Sequence, residues 1–152
     1  MRPILLATAF LLVALPTRAT EPLAPDPRLK PAEVVAIQLT ALQANDSPRT
    51  DAGIEQTWAF AHPDNKSMTG PLERFTRMIK GPTYRMLLNH RSHQVAERSR
   101  SEDEAVFAVV IISQNNETFG VRWTVRRVTG GEHAGSWMTV SVSPPVALGR
   151  TV

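Results

Sequence analysis

Histidine carries most of the acid–base and metal-binding chemistry open to this chain, which has four histidines and no cysteine. His90 and His93 resemble a ligand pair, but side chains three positions apart on a regular strand face opposite sides of it. We therefore expect no metal site there, unless a bulge brings the two side chains together and a third ligand joins them. His62 and His133 lie in predicted turns, where solvated histidines are expected. The absence of cysteine excludes thiolate nucleophiles, thiolate metal sites and iron–sulfur centres.

The motifs that mark common enzyme classes are missing from the sequence. It contains no G-x-S-x-G nucleophile elbow, no Walker loop and no dinucleotide fingerprint. Gly130 and Gly131 have no predicted helix after them, so they do not indicate a phosphate site. The acidic run Glu102 to Glu104 falls in a predicted hairpin loop and is typical of a solvated turn. We assign no catalytic residue, metal ligand or cofactor, and the sequence favours a non-catalytic protein.

An aromatic set is expected where helices meet a sheet: Trp58, Phe60, Phe75, Tyr84 and Trp123. Ordinary core packing is the simpler interpretation. The alternative is a lined cavity, because small-molecule sites are mostly apolar with a few convergent polar groups. Tyr84, Asn89 and His90 are the polar residues nearest to the set in sequence. The candidate ligand-binding residues are therefore Trp58, Tyr84, Asn89, His90 and Trp123.

Residues 1–19 have the features of a signal peptide. Arg2 precedes a 13-residue apolar run that Pro16 ends, and small residues follow at Thr17 and Ala19. An uncleaved membrane anchor is the alternative, but a span needs about 18 or more apolar residues. Export to the periplasm or the extracellular space is predicted. Cleavage would lower the formal charge from +3 to +1 by removing Arg2 and Arg18, and a nearly neutral domain is a poor candidate for binding nucleic acid.

The rest of the chain divides into three parts. Residues 20–30 are proline-rich and predict an extended leader, residues 31–143 a single domain, and residues 144–152 a flexible tail. Apolar residues at helical spacing predict helices over 31–44, from about 51 to 61, and from about 70 to 80. The third helix should bury Leu72, Phe75, Met78 and Ile79 along one stripe, with Thr69 as its cap.

After Pro82 the apolar pattern becomes that of strands, predicted over residues 88–96, 104–113, 118–128 and 136–143. In the third strand Phe119, Val121, Trp123 and Val125 alternate onto one face. In the fourth, Met138, Val140 and Val142 should point inward. Short connections favour an antiparallel meander. The predicted fold is α+β: three helices on one face of a curved, four-stranded antiparallel sheet, similar to the cone of NTF2-like proteins.

Several segments together resemble the DUF4864 family, a domain of unknown function. They are Asp51 to Ile54, Thr69 to Phe75, Leu87 to Arg91 and Gly135 to Thr139. The likeness runs from about Pro31 to Val142, most of the domain. It implies a compact, often exported domain, and it transfers no catalytic residue.

Three hypotheses follow. The first is a non-catalytic binding or interaction module outside the cytoplasm, whose partner is a small apolar ligand or an envelope protein. The second is a lyase or isomerase that uses His90 as acid and base in an apolar cavity. The third is a structural homodimer that buries one sheet face, although Arg122, Thr124 and Arg126 argue against a dry interface there. No stable membrane span is expected after signal removal, and the oligomeric state stays open.

Overall fold

The structure, a computed structural model, describes residues 21–150. The predicted signal peptide at 1–19 lies outside them. Four helices come first: α1 (Pro31–Gln43), α2 (Ala52–Ala59), α3 (Pro63–Thr69) and α4 (Leu72–Lys80). After one 3₁₀ turn (Arg85–Leu87) come five strands: β1 (Ser92–Arg100), β2 (Glu104–Ile112), β3 (Glu117–Arg127), β4 (Trp137–Val142) and β5 (Val146–Arg150). The α+β class and the helices-then-strands order are as predicted.

Helix α1 forms where the sequence predicts it. Pro31 occupies the first turn, where its missing N–H leaves no bond unmade. The Glu33 carboxylate accepts a hydrogen bond of 2.7 Å from the backbone N–H of Lys30, which fixes the start of the helix. One face is buried under the sheet and α2: Val34, Val35, Gln38, Leu39 and Leu42.

The prediction of three helices is wrong, because a further helix, α3, forms where the sequence indicated only a turn. The His62–Pro63 pair follows the end of α2, as expected, and it also begins α3. Imidazole Nδ1 of His62 accepts a hydrogen bond of 3.1 Å from the backbone N–H of Asp64, and Pro63 fits the first helical position. None of the α3 residues is buried.

Helix α4 confirms the predicted apolar stripe. Phe75 and Ile79 are buried, and Leu72 and Met78 pack against the core. Thr69 does not cap this helix: its hydroxyl donates to the backbone oxygen of Asn65 at 2.9 Å. The indole of Trp58, from α2, lies against Phe75 with ring centroids 5.0 Å apart.

The sheet is antiparallel in the order β1-β2-β3-β4, and β5 pairs with β3. Phe107 stands opposite Trp123, and Val109 opposite Val121, on the face that the helices cover. The predicted alternation of β3 is thereby confirmed. Strand β1 begins at Ser92 and not at Leu88, because residues 88–91 form a turn that follows the 3₁₀ turn.

Within the described residues the sheet has five strands, and not the four that were predicted. Residues 146–150, which we expected in a loose tail, pair with Glu117 to Gly120 of β3. Strand β3 has 11 residues and β4 only 6, so β4 leaves the first part of β3 without a partner on that edge. Strand β5 fills that edge, where unpaired backbone groups would otherwise remain.

The pairing of β3 with β4 contains a register shift. As a result, the β4 side chains that face the helices differ from those predicted. Val125 stands opposite Thr139 and Thr124 opposite Ser141, so Val140 is an extra, bulged residue. The bulge brings Thr139 and Val142 to the same face of the sheet as Trp123. Simple alternation through Val140 would have turned Thr139 to the other face.

Helices α1 and α2 cross at a glycine. A Cβ built on Gly53 would lie 2.1 Å from the backbone oxygen of Ala41, far inside contact distance. The N–H of Gly53 donates to the backbone oxygen of Asn45 at 2.9 Å. The crossing therefore needs a residue without a side chain, and it fixes the distance between α2 and α1.

Candidate ligand-binding cleft

An apolar cleft of about 240 Å³ opens between the helices and β4. Its walls come from α1, α4, the 3₁₀ turn and β4, and they include Leu42, Phe75, Met78, Ile79, Leu87 and Val142. For comparison, an engineered apolar cavity of about 150 Å³ holds a benzene molecule. The cleft is therefore large enough for a small organic molecule.

Three polar side chains form a hydrogen-bonded group at the inner end of the cleft. The indole Nε1–H of Trp123 donates to Oε1 of Gln38 at 3.1 Å and to Oγ1 of Thr139 at 3.0 Å. The Thr139 hydroxyl donates to the same Gln38 oxygen at 2.5 Å. All three side chains are buried and all three line the cleft. We call Gln38, Trp123 and Thr139 the polar floor.

The fold fixes the orientation of the Gln38 amide. An indole N–H only donates, so the group facing Trp123 must be Oε1. On the other side, Nε2 of Gln38 donates to the backbone oxygen of Thr57 at 3.0 Å. That carbonyl belongs to α2, so the close α1–α2 crossing at Gly53 sets the orientation of the polar floor.

Further polar groups lie toward the outer part of the cleft. The Tyr84 hydroxyl donates to the backbone oxygen of Val142 at 3.1 Å, and burial raises the pKa of Tyr84. The Asn65 amide donates to the backbone oxygen of Thr139 at 3.2 Å, which ties α3 to β4. Met68 of α3 also lines the cleft and is 75% exposed. The entrance therefore lies beside α3, the least buried helix.

Among residues 21–150, every residue that lines the cleft is uncharged. An ion entering such a site would lose its hydration without gaining a counter-charge, which is strongly unfavourable. The cleft thus selects against charged groups and accepts apolar surface.

The structure brings His90 and His93 together, contrary to the geometric argument from a regular strand. Nε2 of His90 lies 2.7 Å from Nδ1 of His93, because His90 precedes β1 and the chain turns between them. Nδ1 of His90 lies 2.7 Å from the backbone oxygen of Leu87 and must carry a proton, since a carbonyl only accepts. Both ring nitrogens of His90 are thus engaged by protein groups.

Burial lowers the pKa of His90, the more so because His93 is beside it, and burial lowers the pKa of His93 as well. Neither imidazole lines the cleft. In residues 21–150 no group of three or more histidine, aspartate or glutamate side chains could hold a metal ion. The buried His90 ring and the half-buried His93 ring form a hydrogen-bonded pair at the start of β1.

The other two candidates, Asn89 and Trp58, contact protein groups and have structural roles. Asn89 has a positive φ of 51°, and its side-chain oxygen accepts from the backbone N–H of Asn45 at 3.0 Å. Its amide also donates to Asp46 at 3.1 Å, so it holds the loop after α1. Trp58 packs on Phe75 outside the cleft wall. Of the five candidates, the structure brings Tyr84 and Trp123 to the cleft.

Sequence reasoning missed Gln38, Thr57 and Thr139. One signal was available for Gln38: it lies four residues after Val34 and four before Leu42, so it interrupts the apolar stripe of α1. A polar residue on a buried stripe needs partners. Thr139 could not be found in this way, because the bulge at Val140 decides its face.

No helix in the part of the chain that the structure describes combines the length and apolarity needed to cross a membrane. Searches of the curated proteins and of the solved structures returned no significant match. A family model described as a domain of unknown function matches residues 28–143, which is most of the chain and includes all the residues of the polar floor. The chain belongs to the DUF4864 family.

Proposed function

We propose that this protein is a non-catalytic binding module whose cleft takes up a small, uncharged, mainly apolar molecule. The observation that carries the proposal is the cleft of about 240 Å³ with uncharged walls and a buried polar floor. Such a combination of apolar surface and a few convergent polar groups is typical of small-molecule sites. The proposal treats the helices and sheet as an NTF2-like cone with the cleft in its interior.

Size and polarity limit the ligand. The cleft exceeds the volume that holds one benzene ring, so one or two fused rings or a short branched chain would fit. Burying the apolar surface of such a ligand contributes roughly 25 cal/mol per Å². Charged metabolites fit poorly, because the walls carry no counter-ion.

A lyase or isomerase that uses His90 finds less support. His90 does not line the cleft, and both its ring nitrogens are engaged, by His93 and by the Leu87 carbonyl. A general base needs a free lone pair within about 3 Å of the proton it removes. The acid–base groups of the His pair and the apolar cleft therefore lie at different places.

We further propose that the module acts after export, in the periplasm or outside the cell, because residues 1–19 have the features of a signal peptide. Fractionation of the native host followed by mass spectrometry of the intact protein tests this. A mature chain beginning at Thr20 in the exported fraction supports export. An uncleaved chain in the cytoplasm would refute it.

Two matched valine-to-phenylalanine variants test binding in the cleft. Val142 is half-buried and lines the cleft, whereas Val146 is 62% exposed on β5 and lies away from it. Isothermal titration with uncharged bicyclic compounds such as indane and 1-indanone should show saturable, one-site binding to the wild type. Val142→Phe should weaken it at least tenfold by filling the cleft, and Val146→Phe should not change it. Equal binding by both variants would place any binding elsewhere.

A further inference from the structure

The Gln38 amide has one hydrogen-bond donor that the protein does not use. A glutamine Nε2 carries two protons. One is donated to the Thr57 carbonyl at 3.0 Å, and the described residues accept no hydrogen bond from the other. Oε1 of Gln38 accepts from Trp123 and from Thr139, so the acceptor side of this amide is well satisfied.

Burial makes the spare donor significant. Gln38 is 1% exposed, and a buried N–H without an acceptor costs about 1–3 kcal/mol. Gln38 lines the cleft, and because its Oε1 and one Nε2–H are engaged by protein groups, the second N–H is the part of the amide that remains available to a molecule there. Either water or a ligand oxygen can take that position.

The amide cannot turn to avoid this situation. A flip would set NH₂ against the Trp123 N–H, which is donor against donor, and would set Oε1 against the Thr57 carbonyl, which is acceptor against acceptor. The donor is therefore held in a fixed orientation by α2 and β3. Preorganised donors of this kind discriminate between ligands, because a ligand without the matching acceptor leaves the group unpaired.

We infer that the cleft recognises molecules with an apolar body and one uncharged acceptor oxygen, such as a ketone, an amide or an alcohol, which binds the free N–H of Gln38. This inference rests on the proposed function and specifies the class of ligand. The apolar walls take the body of the ligand, and the polar floor takes the oxygen. A pure hydrocarbon fits the same space but leaves the free N–H of Gln38 without an acceptor.

Indane and 1-indanone form a matched pair of probes, since they share a bicyclic body and differ in one carbonyl oxygen. The two have different affinities for water, so the informative quantity is how the ratio of their dissociation constants changes between proteins. Changing Gln38→Leu should lower the preference for 1-indanone about three- to tenfold relative to the wild type, the value of one ordinary hydrogen bond. Gln94→Leu, at an exposed position on β1, should leave the ratio unchanged.

A second readout uses the wild type alone, in case Gln38→Leu folds poorly. In ¹H–¹⁵N spectra, 1-indanone should move one side-chain amide proton of Gln38 downfield, and indane should not. Binding of both probes with equal amide shifts and an unchanged ratio in Gln38→Leu would refute the inference while leaving the cleft a binding site. Failure of the wild type to bind either probe would refute the proposed function itself.

Discussion

Changing Gly53→Ala has two opposing effects on the free energy of unfolding, a gain from helix propensity and a loss from packing. The structure shows which of the two is larger. Alanine is favoured over glycine inside a helix by about 1 kcal/mol, so sequence alone predicts a more stable protein. In the structure the new Cβ would lie 2.1 Å from the Ala41 oxygen, 2.7 Å from its carbonyl carbon and 2.8 Å from Cα of Asn45. All three are backbone atoms, so no side chain can turn away.

The size of the effect follows from the movement required. To reach the 3.4 Å of ordinary contact, α2 must move away from α1 by about 1.3 Å. Overpacking of this kind costs about 1–3 kcal/mol. The movement also stretches two bonds to Asn45, from the backbone N–H groups of Gly53 and Ile54, each worth about 1 kcal/mol. After the gain in propensity, we expect a net loss of about 2–4 kcal/mol.

Thermal and urea unfolding followed by tryptophan fluorescence and circular dichroism measure this loss. For a domain of this size the melting temperature should fall by roughly 6–12 °C. Gly130→Ala is the control, since a Cβ there meets nothing within 4 Å, and its effect should be small. A Gly53→Ala protein as stable as the wild type would refute the close crossing and, with it, the position of the Thr57 carbonyl beside Gln38.

Two other outcomes follow from the buried polar groups. The pKa values of His90 and His93 are lower in the folded than in the unfolded chain, so the unfolded state binds protons first as the pH falls. Stability should be full above about pH 6.5 and decline below it, and His93→Asn should flatten that decline in urea unfolding. An equally steep decline in His93→Asn would contradict this account. Thr139→Val keeps the shape of the side chain but removes a donor and an acceptor from the polar floor. It should cost about 1–2 kcal/mol in the same assay, and a loss below about 0.5 kcal/mol would contradict the hydrogen-bonded group.

Local sequence patterns predicted the elements whose formation depends on residues close together in the chain. Residue spacing alone predicted three features, which are the apolar stripe of α1, the apolar stripe of α4 and the alternation of β3. All three form as expected. Helix α3 was missed because His62–Pro63 was interpreted only as a break. The same two residues also begin a helix, through the Nδ1 cap and the proline at the first position.

The elements that depend on distant partners could not be predicted in this way. Strand β5 exists because β4 leaves an edge of β3 free, and the inward position of Thr139 depends on the bulge at Val140. Both are properties of strand pairing and not of local sequence. Tyr84 and Trp123 were found as aromatic residues near a helix–sheet contact, whereas Gln38 could be identified only by its place on a buried stripe.

Four methionines of the described chain allow a direct test of the cleft. Met68 and Met78 line it, and Met86 and Met138 do not. In methyl ¹³C spectra of methionine-labelled protein, titration with 1-indanone should shift the methyl signals of Met68 and Met78 along one saturable curve and leave that of Met86 in place. If saturating ligand moves neither Met68 nor Met78, or moves Met86 to the same extent, the cleft is not a binding site and the proposed function is wrong.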